Sequence, residues 1–515
     1  MLKLMKQVLV LTGLLFPLVL MFSCSEEKET VPEQKSDFCS RIHRNDSTSL
    51  TKGLEKVSHL LTDNTGVFVI EDGGTSLVAR AWLTEYAEKS IDIQYFIFST
   101  DNVGLIACDY LVRAADRGVK VRIIVDDIMV EAGPKELLTM DSHENIEIKI
   151  YNPGCNVGKN LGEKLGKLVS DFDGFNQRMH NKTFIVDKKV VITGGRNIAD
   201  EYFDYDHEYN FRDRDVMFMG KAVAEVENSF ERFWNDPLCQ KVTDLVKDEK
   251  ADLTSRNRFD RLHQYACNPE NFWPQVRERI QNLPQAFDKI YESGELVWTD
   301  KVSFVSDIPS KNKDRNRAGG ITTDSLAALI KNAKKSIDIQ SPYLITTELG
   351  QGLFKSAIDK GVKIRILTNS LCSTDNMEAF GGYQKCRKGL LNCGVRIFEF
   401  RPDAACRYSV MTGALQKKLN YAPTFGLHAK SMVIDGETTV IGTFNLDPRS
   451  ANYNTECVTI IRSEQIAQGV LKGMEEEFKP ENSWETTLSF NPDGEAPKMK
   501  RAKTWAKKVI PKDIL

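Results

Sequence analysis

Neither sign of charge prevails in this sequence. Lys and Arg total 69 against 72 for Asp and Glu, a formal net charge of -3. No global basic field exists to hold nucleic acid, so any anionic substrate must be caught locally. Long apolar runs are nearly absent. One stretch, from Val8 to Phe22, follows Lys3 and Lys6 and is interrupted by Pro17; it falls short of the roughly 20 residues that span a bilayer. The 11 Cys include no C-x-x-C, and none is spaced from the seven His as zinc ligands would be, so no metal is implied. What remains is ordinary globular usage, 41% hydrophobic and 27% charged, which excludes disordered and low-complexity classes. At 515 residues the chain has room for roughly two to four domains.

The apolar stretch and its basic flank read as a secretory signal over residues 1–23, and Met21-Phe22-Ser23-Cys24 resembles a bacterial lipobox. The expectation is an exported chain anchored by lipid at Cys24 in the cell envelope, on the periplasmic or outer-membrane face. Residues 24–49 are polar and read as a flexible tether. An oxidising compartment permits a disulfide within Cys372, Cys386, Cys393 and Cys406, with buried thiols as the alternative. Near the other end, Lys498, Lys500, Arg501, Lys503, Lys507, Lys508 and Lys512 surround Trp505, Val509 and Ile510. Such a segment suits an anionic membrane surface or a solvated tail.

The sequence is duplicated. Lys89-Ser90-Ile91-Asp92-Ile93-Gln94 recurs letter for letter as Lys335-Ser336-Ile337-Asp338-Ile339-Gln340, and Asp116 to Ile124 matches Asp359 to Leu367 at an offset of 243. Two copies are too few for a solenoid and describe a pseudo-dimer in one chain. Each copy reads β-α-β: a β-branched strand from Ser90, a helix over Gly104 to Ala115, a stop at Gly118, and an apolar strand from Val119. The second copy repeats this order from Ser336. The fold class is therefore α/β, two duplicated domains, each a mainly parallel mixed sheet flanked by helices, about one pseudo-two-fold site. Domain one covers 50–240, a connector 241–294, domain two 295–480, and an extension 481–515.

Histidine carries the strongest signal. His180-Asn181-Lys182 is followed by Asp187 and His428-Ala429-Lys430 by Asp435, so H-x-K-x4-D occurs twice, at an offset of 248. A given His meets both conditions by chance about once in 300. After six further residues come Gly194-Gly195 and Gly442-Thr443, and Asn197 and Asn445 each lie 17 residues beyond their His. Flanking strands place each motif on a hairpin, where i and i+2 share a face, so one imidazole and one ammonium can flank one oxyanion.

That pairing suits phosphodiester transfer. A neutral His attacks phosphorus and a protonated one serves the leaving alcohol. Lys182, Lys430, Asn197 and Asn445 can hold the non-bridging oxygens without a metal or cofactor. Each His needs an orienting partner downstream in its own half; Glu456 for His428 and Asp215 for His180 are the candidates, with Asp213 or Glu208 in reserve for Asp215. Asp187 and Asp435 precede turn residues and read as fold-stabilising. Asp126-Asp127 reads as a strand-end cap or salt bridge, and the Gly158-Lys159 and Gly166-Lys167 pairs as loop.

The duplicated H-x-K-x4-D-x6-G-[GST] pattern resembles that of the phospholipase D superfamily. Arg178-Met179-His180-Asn181-Lys182, the run from Gly194 to Phe203, and that from Phe444 to Asn452 are similar to its cardiolipin synthase branch, especially C-type members. The resemblance covers about residues 70 to 484. It implies two α/β halves meeting at one site, phosphatidyl transfer through a phosphohistidine, His180 as nominal nucleophile, His428 as general acid, and no metal. The implied partners are phospholipid substrates and a membrane surface, with no nucleic acid; a partner protein is left unknown. The reading is cardiolipin synthesis from phosphatidylglycerol and a second phospholipid, with hydrolysis to phosphatidic acid as the alternative and an exported nuclease as a more distant one.

Overall fold

A computed structural model describes Cys39 and residues 49–154, 156–157, 176–247, 259–311, 319–411 and 423–511. The apolar stretch 8–22, Cys24, Cys155, Lys512 and the Gly-Lys pairs at 158–159 and 166–167 lie outside the described residues.

Among the described residues, most strands fall in two large sheets. The first runs, edge to edge, Val297–Thr299, Thr65–Ile70, Asp215–Gly220, Val190–Gly194, Thr183–Val186, Ser90–Tyr95, Lys120–Asp126, Ile146–Tyr151 and Cys239–Lys241. The second runs Val302–Ser306, Cys457–Arg462, Thr438–Gly442, Ser431–Ile434, Ser336–Gln340, Lys363–Asn369, Arg396–Phe400 and Ser483–Thr486. Leaving out Val297–Thr299, the two orders correspond strand for strand. The repeated Ser-Ile-Asp-Ile-Gln strands hold the same inner place in each, parallel to the strand that follows and antiparallel to the motif hairpin. The crossover helices match in detail. Asn102–Asp116 is capped by the Asp101 carboxylate, and Glu348–Asp359 by the Thr347 hydroxyl. Both are followed by a glycine in the left-handed region, Gly118 at φ 89° and Gly361 at φ 92°.

The sheets are mixed, but not mainly parallel as the β-α-β reading suggested. In each, three neighbouring strands run parallel and the others antiparallel. Parallel neighbours need a long crossover, whereas the motif segments reverse within a tight turn that makes only an antiparallel pair. Asp187 and Asp435 sit in those turns, at φ 51° and 57°. The Asp187 carboxylate accepts the backbone N–H groups of Glu88, Lys89 and Ser90; Asp435 accepts those of Lys334, Lys335 and Ser336. Each motif aspartate thus ties its hairpin to the start of the repeated strand.

The halves are joined by a third sheet, in which Tyr209–Arg212 pairs parallel with Thr424–Leu427. One apolar cluster, including Ile185 and Phe218 with Leu427, Ile441 and Ile461, is built from both halves. In the segment between the repeats, Ala266, Val276, Ile280 and Phe287 enter the core of the first half. Cys39 is disulfide-bonded to Cys267 there. No disulfide joins Cys372, Cys386, Cys393 and Cys406. Cys386 and Cys406 are buried in different apolar clusters, which keeps their sulfurs apart. Among the described residues no helix is long and apolar enough to cross a membrane.

Candidate active site

The two histidines are buried, and each is oriented by the opposite half. His180 Nδ1 lies 2.8 Å from Glu456 Oε2, and His428 Nδ1 lies 2.6 Å from Asp213 Oδ2. The backbone sets up this exchange. His180 N–H donates to the carbonyl of Thr455, the residue before Glu456, while His428 N–H donates to the carbonyl of Arg212, the residue before Asp213. The bridge between Met179 and Thr455 is parallel, as is the ladder ending at Arg212 and Leu427, so the two junctions are related by the pseudo-two-fold. Ring contacts repeat the symmetry: Phe96 stands edge-on to His180 at 5.2 Å and Tyr202 edge-on to His428 at 5.1 Å.

Asp215, taken from the sequence as the partner in the first half, does not reach a histidine. Its carboxylate accepts from Ser76 Oγ at 2.8 Å and from Arg80 at 3.1 Å, deep in its own half. Asp213 lies two residues earlier, in the break between the strands Tyr209–Arg212 and Asp215–Gly220, and directly follows Arg212, whose carbonyl accepts the His428 N–H, so it is the carboxylate at the junction. Glu456 follows Asp213 by 243 residues, the offset already present in the Asp116 and Asp359 match. That offset identifies the pair from sequence; distance from each histidine obscures it. Crossing between halves had no local signal.

The carboxylates are held in turn. Thr443 Oγ1 and Ser450 Oγ donate to Glu456, and Arg214 N–H donates to Asp213 Oδ1 at 2.7 Å. At the place of Thr443 the first half has Gly195, where a Cβ would stand 2.0 Å from Asp213 Oδ1. The second Gly of that motif therefore makes room for the aspartate. Asp126 reads as it did from sequence, a cap: it accepts Ile128 and Met179 N–H and pairs with Arg178 at 3.2 Å, which anchors the segment leading into His180. Asn197 Oδ1 accepts the Ile97 N–H, leaving its amide NH2 as the donating end. Asn445 Oδ1 is buried without a hydrogen-bond partner among the described residues.

Lys182 and Lys430 are buried beside the imidazoles; each Nζ donates to the carbonyl of its own motif His, at 2.9 and 2.5 Å, and Lys430 Nζ also stands 3.0 Å from His428 Nδ1. Burial, and then repulsion from Lys430, brings Lys182 down to about 7; burial brings Lys430 to about 8. Burial and the neighbouring ammonium groups likewise lower His180 to about 4 and His428 to about 3, against the pull of the carboxylates. Burial opposes the charge of Asp213 and Glu456, yet the imidazole and lysine beside each keep both below the ordinary carboxylate range. At neutral pH the imidazoles are therefore uncharged, with Nδ1–H on a carboxylate and Nε2 bare. Two buried ammonium groups destabilising one another make a site for an anion and a poor one for a metal cation.

A pH dependence follows. An anion bound between the lysines needs them charged, and their free-state values lie near 7 and 8. Affinity for a phosphate mimic such as tungstate should be greatest near pH 6 and weaken as pH rises through 7 and 8, by up to about tenfold per unit for each lysine. Inhibition or calorimetric titration between pH 6 and 9 measures this; a flat profile would mean that neither lysine meets the anion.

The chain is similar to known proteins. The family model described as cardiolipin synthase, PLD-like domain, matches twice, at residues 83–234 and 326–478. Cardiolipin synthase C of Escherichia coli (strain K12) is 35% identical over 412 residues, covering 78% of this chain and 82% of that protein. An uncharacterised protein of Helicobacter pylori (strain ATCC 700392 / 26695) is 33% identical over 408 residues, 79% of this chain and 78% of its own. Among solved structures, the phosphatidylserine synthase of Haemophilus influenzae superposes with a TM-score of 0.56 at 14% identity, over 90% of this chain and all of that one, a likeness of fold.

Proposed function

The chain belongs to the cardiolipin synthase family of phospholipase D-like proteins, and from that premise we propose that it joins phosphatidylglycerol to a second phospholipid to make cardiolipin. It is a phosphatidyltransferase of the phospholipase D type. The observation that carries the reading is the pair of buried imidazoles, each with Nδ1 on a carboxylate from the other half and a lysine alongside.

In this reading Nε2 of His180 attacks phosphorus, forming a P–N bond as the bond to the leaving alcohol breaks. His428 gives that alcohol its proton. The negative charge of the phosphodiester raises His428 from its depressed value, so the proton is taken up with the substrate. A headgroup hydroxyl of the second lipid then gives its proton to His428 and attacks phosphorus, freeing His180. Lys182 and Lys430 hold the non-bridging oxygens, and the amides of Asn197 and Asn445 assist. Asp213 and Glu456 fix the tautomers.

The test supplies purified protein with phosphatidylglycerol, alone and with phosphatidylethanolamine, and identifies products by mass spectrometry. Cardiolipin is the expected product. Phosphatidic acid as the sole product would replace transfer by hydrolysis, and cleavage of nucleic acid with no lipid product would sink the lipid reading.

We also propose that the chain is exported and held by lipid at Cys24, from the apolar stretch and the Met21-Phe22-Ser23-Cys24 run. Radiolabelled palmitate should be incorporated by the intact chain and not by Cys24→Ser; equal labelling would reject the anchor.

A further inference from the structure

The helix Lys498–Lys507 is built inside out. Its inner face is polar: Thr504 is buried, on the side that lies against Gly381 of the helix Met377–Asn392. Lys500 Nζ donates to the carbonyls of Cys372 and Thr374, at 3.2 and 2.8 Å, and Lys507 pairs with Glu378. At 100° per residue the opposite face collects Met499, Ala502, Trp505 and Ala506, and Val509 follows in the turn beyond the helix. Met499 is 68% exposed, Trp505 74% and Val509 72%. A helix covered by water or packed on its own protein shows the reverse arrangement.

The margins of that outward face say what covers it. Arg501 and Lys508 border it on one side, Lys503 on the other, and Lys498 stands at its start. No Asp or Glu occurs between residues 496 and 511, in a chain whose overall charge is -3. An apolar strip with an exposed Trp, edged by cations, matches the interface of an anionic bilayer: the strip enters the acyl boundary and the cations meet headgroup phosphates. We propose that this helix is a membrane-docking surface for anionic phospholipid. It also orients the site, because the loop held by Lys500 carries Asp375, whose carboxylate accepts from Tyr343 Oη at 2.8 Å and lies within electrostatic reach of Lys430. The docked helix is thus tied, through Lys500, to the loop that carries Asp375. This deepens the proposed function, and only the link to substrate delivery rests on that reading.

The intact chain is mixed with vesicles of phosphatidylcholine, with or without a roughly one-third share of phosphatidylglycerol, carrying brominated acyl chains that quench nearby Trp. Quenching is expected on the anionic vesicles. The quenched component should vanish in Trp505→Phe, which isolates this residue from the other tryptophans and this helix from any other anchor. Arg501→Gln, Lys503→Gln and Lys508→Gln should each weaken the Trp505 signal by about fivefold. No quenching assignable to Trp505, equal quenching on uncharged vesicles, or a Trp505 shift that follows protein concentration without lipid would overturn the proposal. Trp505→Glu should retain turnover of a monomeric short-chain phospholipid and lose turnover of vesicle substrate. Quenching without turnover in any variant would leave the docking surface standing and reject the proposed reaction.

Discussion

Asp213→Asn is expected to fold normally and to turn over about 10⁴-fold more slowly than the parent, an effect of the size seen when the orienting carboxylate of a catalytic histidine becomes an amide. Asp213 touches no reacting atom; it acts on His428 from the other half, with Oδ2 2.6 Å from Nδ1. The neutral amide can turn its NH2 toward Nδ1, which then becomes the acceptor and moves the ring proton to Nε2, the nitrogen that must face the phosphodiester. Loss of the negative charge also lets burial and Lys430 lower His428 further, so the imidazolium needed to protonate the leaving alcohol becomes scarcer. The loss should fall on kcat, and the pH at which kcat declines should move to more acidic values. Asp213→Glu should recover part of the rate, since it restores charge with poorer geometry. In Asp213→Asn combined with His428→Ala the losses should fail to add, because the aspartate works through the histidine. Additive losses, or an unchanged pH profile, would make Asp213 a structural residue only.

The second large effect separates the two imidazoles. Both His180→Ala and His428→Ala should lose cardiolipin formation by a factor on the order of 10⁴ or more. They should differ with a substrate whose leaving group is p-nitrophenolate, which needs no proton. His428→Ala should then release one equivalent of p-nitrophenol in a rapid burst and stall, with the phosphatidyl group left on His180 as an acid-labile, base-stable adduct. His180→Ala should give no burst. The opposite pattern would exchange the roles while keeping the chemistry. A parent enzyme that never shows the adduct under rapid quench would remove the covalent intermediate from the scheme.

Much of this arrangement is legible in the sequence because it is local. The repeated Lys-Ser-Ile-Asp-Ile-Gln strands, the crossover helices and their glycine stops, and the two hairpins with His and Lys at i and i+2 are each written within a few residues. Tertiary relations were not legible. Asp215 looked right because it opens a strand, as Glu456 precedes one; only the junction of Tyr209–Arg212 with Thr424–Leu427 brings Asp213 to His428 instead. The parallel share of the sheets is smaller than the β-α-β order suggests, since apolar runs show that a strand is buried and not which way its neighbour points. The Cys39–Cys267 bond joins residues 228 apart, and clustering of the other cysteines along the chain said nothing about it. The basic helix was visible as composition, but the direction in which Trp505 points depends on what Lys500 and Thr504 hold.

The crossing of Asp213 and Glu456 also bears on inheritance. In a chain where each half served its own histidine, recombination could exchange one half for that of a distant relative and leave the other working. Here a half imported without its matching junction would leave its own histidine and that of its neighbour both misaligned, so the two halves travel as one unit of selection. Damage in one half is felt at the imidazole of the other.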